Sequence, residues 1–182
     1  MTKYTHIIWD WNGTLLNDLS ASLTSVNDML DLRGMPHIDA NFYKECIGVP
    51  IRKFYDRVFD NEGYLLHLKD CGLTDGAREA IEFFNSCGIH QAVVSSSNND
   101  QLCINIRKFG LESCFDAVLG SADFYAGSKI DRAKDYLEKT GGEGKKTLVI
   151  GDLEHDADMA KELGMDKEEF TWDEFVDLAR AM

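Results

Sequence analysis

The sequence predicts an α/β fold, a doubly wound parallel sheet with a small α-helical segment inserted after its first strand. Three observations carry that prediction. Short, largely apolar runs at Tyr4 to Trp9, Ile89 to Val94, Ala117 to Gly120 and Thr147 to Ile150 alternate with longer stretches of helical periodicity, the pattern of repeated βαβ units with right-handed crossovers. The runs are rich in β-branched residues, as strands covered on both faces are. Three of them stop at a polar residue, Asp10, Ser95 or Asp152. Parallel strands present the same end to one crevice, so these three termini should converge although the chain separates them widely.

The first run breaks at Asp10-Trp11-Asn12-Gly13, a strand that runs into a working loop. Asn17 or Asp18 can cap the next helix, on which Leu19, Leu23, Val26, Met29 and Leu30 share a face, and Arg33-Gly34 should end it. Helices are predicted over Ala40 to Cys46 and over Ile51 to Phe59, where Ile51, Phe54, Tyr55, Val58 and Phe59 form an apolar stripe. A turn at Asp60-Asn61-Glu62-Gly63 and a short helix from Tyr64 to Lys69 complete the insert. From Asp75 the alternation is regular. Ala77, Ala80, Ile81 and Phe84 line a helix stopped by Gly88, and the strand Ile89 to Val94 leads into Ser95-Ser96-Ser97-Asn98-Asn99. Leu102, Ile106 and Phe109 line the next helix, closed by Gly110; after the third strand a loop through Ser128-Lys129 opens a helix from Ile130 to Lys139. The turn Gly141-Gly142-Glu143-Gly144 precedes the strand Thr147 to Ile150 and lacks the spacing of a phosphate loop. Glu169 to Trp172 reads as an edge strand and Asp173 to Ala181 as a closing helix.

At 182 residues the chain suits one domain with a small insert. Its 44% apolar and 28% charged residues are ordinary for a globular protein. A net charge of −13 with only 19 Lys and Arg gives no footprint for nucleic acid or for an anionic membrane surface. The apolar stretch before Asp10 is too short for a signal core or a membrane span, so a cytoplasmic protein is expected. Five cysteines without a CxxC pair read as reduced structural thiols. Nothing in the sequence sets the oligomeric state.

Taken singly, each polar residue has an ordinary reading. Asp10 could be a nucleophile, a metal ligand or a helix cap; Asp152 and Asp156 could cap a helix, Ser95 could belong to a turn, and Lys129 could be a surface lysine. His6 reads as a strand-edge side chain and His155 as one facing solvent. Together, Asp10-Trp11-Asn12-Gly13-Thr14, Val94-Ser95, Lys129 and Gly151-Asp152-Leu153-Glu154-His155-Asp156 resemble the four ordered motifs of the haloacid dehalogenase-like (HAD) hydrolases. The resemblance covers nearly the whole chain and is closest to the phosphoglycolate phosphatase-like branch. It implies a Rossmann-like core over residues 1–16 and 75–182 and a helical cap over 17–74, the cap shorter than usual between Phe59 and Leu73. It further implies a small phosphorylated substrate and these roles: Asp10 as the nucleophile that forms an aspartyl-phosphate; Asp10, Asp152 and the Asn12 carbonyl as Mg²⁺ ligands, with Asp156 behind them; Ser95, Ser96 and Lys129 around the phosphate; and Arg52 at the far end of the substrate. Backbone N–H groups of the loop after Asp10 should complete the cradle.

One position departs from that pattern. Phosphatases of this family carry an Asp two residues after the nucleophile as general acid and base, and this chain has Asn12. An amide transfers no proton, and general acid-base catalysis is typically worth about 10² to 10⁴ in rate. The sequence leaves open a slow Mg²⁺-dependent phosphatase, an enzyme whose leaving group needs no proton, and a catalytically weak regulatory protein that binds phosphate and metal. A dehalogenase would not need the metal carboxylates Asp152 and Asp156, and a phosphonatase would need a desolvated cap lysine, for which Lys44 and Lys53 are the available residues.

Overall fold

A computed structural model describes residues 3–46, 67–122 and 129–168. The described chain divides into two compact units, Met1–Leu15 with Leu73–Met182, and Leu16–Gly72. In the first, five parallel strands form one sheet in the order β3-β2-β1-β4-β5. The strands are β1 (His6–Trp9), β2 (His90–Asn98), β3 (Ala117–Ser121), β4 (Thr147–Ile150) and β5 (Asp166–Glu168). Six α-helices among the described residues are numbered with them in chain order: α1 (Leu19–Leu32) and α2 (Ala40–Cys46) lie in the second unit, α3 (Ala77–Ser86), α4 (Asn99–Lys108), α5 (Lys129–Thr140) and α6 (Glu154–Leu163) in the first.

β1 sits in the centre because it is buried along its whole length. His6 pairs with His90 on one side and Thr147 on the other, and Trp9 pairs with Val93 and Ile150. Successive side chains of a strand point to opposite faces, so β1 feeds two cores. Ile8, with Ala92, Val94 and Val149, packs against Ala133 and Leu137 of α5 and Met159 and Ala160 of α6. On the other face Trp9 meets Phe84 of α3 with ring centroids 6.0 Å apart. There Trp9 Nε1–H donates to Gln91 Oε1 (2.9 Å), while Gln91 Nε2 donates to Ile81 O (3.0 Å) and Asn85 Oδ1 (2.9 Å). Every polar atom named on that face is thereby matched, as burial requires.

The second unit has its own small core of Val26, Leu30 and Tyr43, bordered by Leu19, Leu23 and Ile38. Asn27 ties α1 to the following loop with both ends of its amide: Nδ2 donates to Ile38 O (3.0 Å) and Oδ1 accepts from Ile38 N–H (2.9 Å). Asp39 Oδ1 accepts the Phe42 N–H (2.8 Å), capping α2. The two core segments that flank the insert are stitched together: Thr74 N–H donates to Leu15 O (3.0 Å) and Thr74 Oγ1 to Thr14 O (2.8 Å).

The α2 and β4 bounds coincide with the sequence prediction. β2 does not: it continues past Val94 through the serines to Asn98, because a register shift after Val94 lets Asn98 pair with Ser121. The edge strand is Asp166–Glu168, earlier in the chain than expected. The Ile51 to Phe59 helix, the turn after it, Arg52, Lys53, the segment Glu169 to Trp172 and the closing helix lie outside the described residues, as does Tyr64 to Leu66 of the short helix. Cys71, Cys87, Cys103 and Cys114 are free thiols. Among the described residues no helix is long and apolar enough to cross a membrane.

His6 is a buried member of the central strand rather than an edge residue. Its ring stacks on His90 at 4.9 Å, and Nε2 lies 3.1 Å from Thr140 Oγ1. That hydroxyl donates to Tyr136 O (2.8 Å), so it accepts from His6, which fixes the proton on Nε2. Nearby, Tyr4, His90, Thr140 and Lys146 help line a cavity of about 370 Å³ at the amino ends of the strands, opposite to the carboxyl end that carries Asp10. Burial, then the neighbouring His90, lowers the His6 pKa below its usual value. Below about pH 6.5 the unfolded chain therefore binds a proton that the folded protein resists, and stability falls as pH drops from there toward the folded-state pKa. Urea unfolding at pH 7.5 and 5.5 should show a smaller loss in His6→Gln than in the wild type; an equal loss would remove His6 from this account.

Candidate active site

Asp10 extends the sheet by one residue, its N–H donating to Ile150 O (2.8 Å), so its side chain leaves the carboxyl end of the central strand with little freedom. It is only 4% exposed. Oδ1 accepts from Lys129 Nζ (2.8 Å) and from the Trp11 N–H (2.8 Å). The Trp11 N–H is thus turned onto the carboxylate and not toward a bound phosphate, which narrows the expected backbone cradle.

Lys129 opens α5 and is buried. An ammonium has three N–H donors, and here each has an acceptor: Asp10 Oδ1, Asp156 Oδ1 (2.9 Å) and His155 Nε2 (2.8 Å). Burial pushes the Lys129 pKa down, but the two carboxylates outweigh it and the net direction is up, so the group stays charged. Burial pushes the Asp10 carboxyl up, and Lys129 works against that. His155 can accept only if Nε2 is unprotonated. Burial and Lys129 together lower its pKa to about 4, which keeps the ring neutral with its proton on Nδ1. The expectation that His155 faces solvent is corrected: the first turn of α6 packs beside the start of α5 and turns the ring inward onto Lys129.

Asp156 is fully buried at the N-terminal turn of α6, where Oδ2 also accepts the Leu153 N–H (3.3 Å). The capping reading holds, and the same carboxylate also accepts from Lys129. Gly151 makes room for it, since a Cβ there would lie 2.5 Å from the Asp156 carboxyl carbon. Asp152 follows β4, the strand beside β1, where the strand order reverses direction; that is the switch point at which open α/β sheets take ligands. Thr14 Oγ1 donates to Asp152 Oδ1 (3.2 Å). Asp152 as a residue is solvent-exposed, but its carboxylate is crowded by Gly13 and Thr14, and that local loss of water, with Asp10 next in effect, pushes its pKa up to about 6.

The serine run supplies the third edge. Ser95 is buried, and its Oγ accepts the Ser97 N–H (3.1 Å), which leaves the hydroxyl hydrogen to donate elsewhere. Arg132, three residues along α5 from Lys129, donates from Nη2 to Ser95 O (2.9 Å) and fixes the loop. Ser97 Oγ donates to Asn12 Oδ1. Ser96 is exposed and takes part in none of these hydrogen bonds. Among the expected site residues, the structure thus joins Asp10, Lys129 and Asp156 directly, and each of the others described except Ser96 is tied to a neighbour. Sequence reasoning missed Ser97, Arg132 and the inward His155; only Arg132 had a signal, its helical spacing from Lys129.

Asp10, His155 and Asp156 each bring a ligand atom within 4.8 Å of the others, a possible metal cluster. The Lys129 ammonium bonds these same side chains, and we therefore read the trio as a lysine cage. A divalent cation fits better between Asp10 and Asp152. Both ligands would be hard carboxylate oxygens, and Asp10 raises the Asp152 pKa, a repulsion that a cation relieves.

Against known proteins, residues 7–167 match the family profile of the haloacid dehalogenase-like hydrolases. The chain belongs to that family. Tyrosine-protein kinase PtkA of Mycobacterium tuberculosis is 23% identical over 91% of this chain, which spans 62% of the kinase's length. "Probable phosphatase IndB" of Dickeya dadantii is 27% identical, over 91% of this chain and 80% of its own. The solved structure of a haloacid dehalogenase-like family hydrolase from Streptococcus pneumoniae has the same fold, with a TM-score of 0.76 at 19% identity over 99% of this chain and 92% of that one.

Gly13 has a positive φ of 74°, and a Cβ there would lie 2.4 Å from Asp152 Oδ2. Gly13→Ala should lower stability by about 1 kcal/mol or more through backbone strain alone, and it should weaken Mg²⁺ binding by displacing Asp152. Calorimetric titration with Mg²⁺ and urea unfolding of the same variant measure the two effects; unchanged Mg²⁺ affinity would take Asp152 out of the cation site.

Proposed function

We propose that the chain is a Mg²⁺-dependent phosphatase acting on small phosphorylated metabolites through an aspartyl-phosphate on Asp10. The observation that carries this reading is the buried Asp10 carboxylate at the end of the central strand, with Oδ1 held by Lys129 and the Trp11 N–H. Family membership supports it, and the names of PtkA and IndB point to phosphoryl chemistry in relatives.

Each residue then has a physical role. Asp10 Oδ2 attacks phosphorus, which divides one difficult displacement into two easier ones. The Lys129 ammonium and the Ser95 hydroxyl stabilise charge on the phosphoryl oxygens. Asp10, Asp152 and the Asn12 carbonyl would hold the Mg²⁺ ion, with Asp156 behind them; when bound it neutralises repulsion between carboxylate and phosphate. The unit Leu16–Gly72, inserted directly after the Asp10 loop, is the cap that selects what the phosphate is attached to. Arg52 and Ser96 are proposed substrate contacts on the strength of the family pattern.

A screen of aryl, acyl, sugar, nucleotide and glycolate-type phosphates should reveal hydrolysis of at least one member that EDTA abolishes, Mg²⁺ restores and Asp10→Asn reduces to background. Activity that survives in Asp10→Asn would defeat the proposal. Mg²⁺ and phosphate binding without turnover of any phosphate would instead favour the regulatory binding protein.

A further inference from the structure

Two residues beyond the attacking carboxylate stands an amide, and its orientation is fixed. Because Ser97 Oγ donates to Asn12 Oδ1, the Asn12 NH₂ edge points the other way, and that edge carries donors only. An amide held by a hydroxyl can hydrogen-bond a departing oxygen but cannot give it a proton, nor take one from water.

Among the described residues, the other candidates for proton transfer are committed. All three Lys129 protons go to Asp10, Asp156 and His155, and His155 Nε2 receives one of them, so it has none to give at that atom. Asp156 is fully buried between Lys129 and the Leu153 N–H. Asp152 is bound to Thr14 and assigned to the cation. What the site does offer is charge stabilisation without acid-base chemistry.

We propose that the Asn12–Ser97 pair restricts this site to phosphoryl donors whose leaving group departs as a stable anion, such as an aryl or acyl phosphate, and that the phosphoryl group then accumulates on Asp10. This rests on Asp10 being the nucleophile. In the first step Asp10 Oδ2 bonds to phosphorus while the bond to the leaving oxygen breaks, and the electron pair departs with that oxygen; no proton is needed. In the second, water bonds to phosphorus, the bond from phosphorus to Asp10 breaks and the carboxylate is restored. The water proton must pass to a phosphate oxygen or to bulk solvent, because every candidate base named above is already committed. The second step is therefore the slow one.

Rapid mixing of the full chain with 4-nitrophenyl phosphate and Mg²⁺ should give a burst of nitrophenolate approaching one equivalent per chain, followed by slow release. Intact-mass analysis after an acid quench should find one added phosphoryl group, removed by hydroxylamine and absent in Asp10→Asn. Glycerol phosphate should give neither burst nor label. Asn12→Asp should abolish the burst and raise steady turnover of glycerol phosphate by about 10² to 10⁴. Ser97→Ala should slow labelling without restoring glycerol phosphate turnover, and Ser97→Thr, which keeps the hydroxyl, should rescue it. Linear nitrophenolate release without label, or glycerol phosphate turnover unchanged by Asn12→Asp, overturns this inference and leaves the Asp10 nucleophile standing. Absence of both release and label with every phosphoryl donor, in wild type and Asn12→Asp alike, overturns the phosphatase reading too.

Discussion

One buried ammonium holds the site together. Lys129 reaches Asp10 at the end of β1, 119 positions away, and both His155 and Asp156 at the start of α6, 26 and 27 positions away, so a single side chain ties three segments. Taking a charge out of water is costly unless its hydrogen bonds are all replaced, and breaking a buried pair typically costs about 3 to 5 kcal/mol. Here three donors meet three acceptors. The arrangement requires that His155 accept at Nε2, which its lowered pKa allows, so the state of the imidazole is tied to the ammonium beside it.

The sheet makes this possible by being rigid where the site needs it. β1 is buried on both faces and hydrogen-bonded on both edges, and Asp10 continues its pairing to Ile150. The carboxylate is thus placed by backbone geometry before any side-chain contact is made. The glycines at 13 and 151 serve the same end, since each leaves the space that a carboxylate fills. Small residues and fixed strand ends position the charges, and the charges in turn close the crevice.

Much of this was legible in the sequence, for identifiable reasons. β1 and β4 are short, apolar and punctuated by acids, so burial and chemistry mark the same boundaries. Asp10, Lys129, Asp152 and Asp156 each lie at a strand end or on the first turn of a helix, where the topology alone forces convergence. β2 was misjudged because serines have little intrinsic preference for a strand; the pairing of Asn98 with Ser121 keeps it extended, and that contact is not local. The Ser97–Asn12 bond spans 85 positions and involves two residue types common in ordinary turns. His155 was misread because its neighbour Asp156 and the exposed Glu154 leave its direction undetermined until α6 is packed against α5. What sequence reasoning lacked in each case was orientation rather than composition.

The stitch at Thr74 has a broader consequence. Its N–H and hydroxyl bind Leu15 and Thr14, so the two ends of the inserted unit leave the sheet side by side. For the core, the insert is then a closed loop of fixed end-to-end distance, and the entropy of closing such a loop grows only with the logarithm of its length. If the insert selects the substrate, as proposed, lengthening or shortening it would change what the protein recognises while leaving the folding problem of the sheet almost untouched. The chain has separated the inheritance of its chemistry from the inheritance of its selectivity by two hydrogen bonds from one threonine.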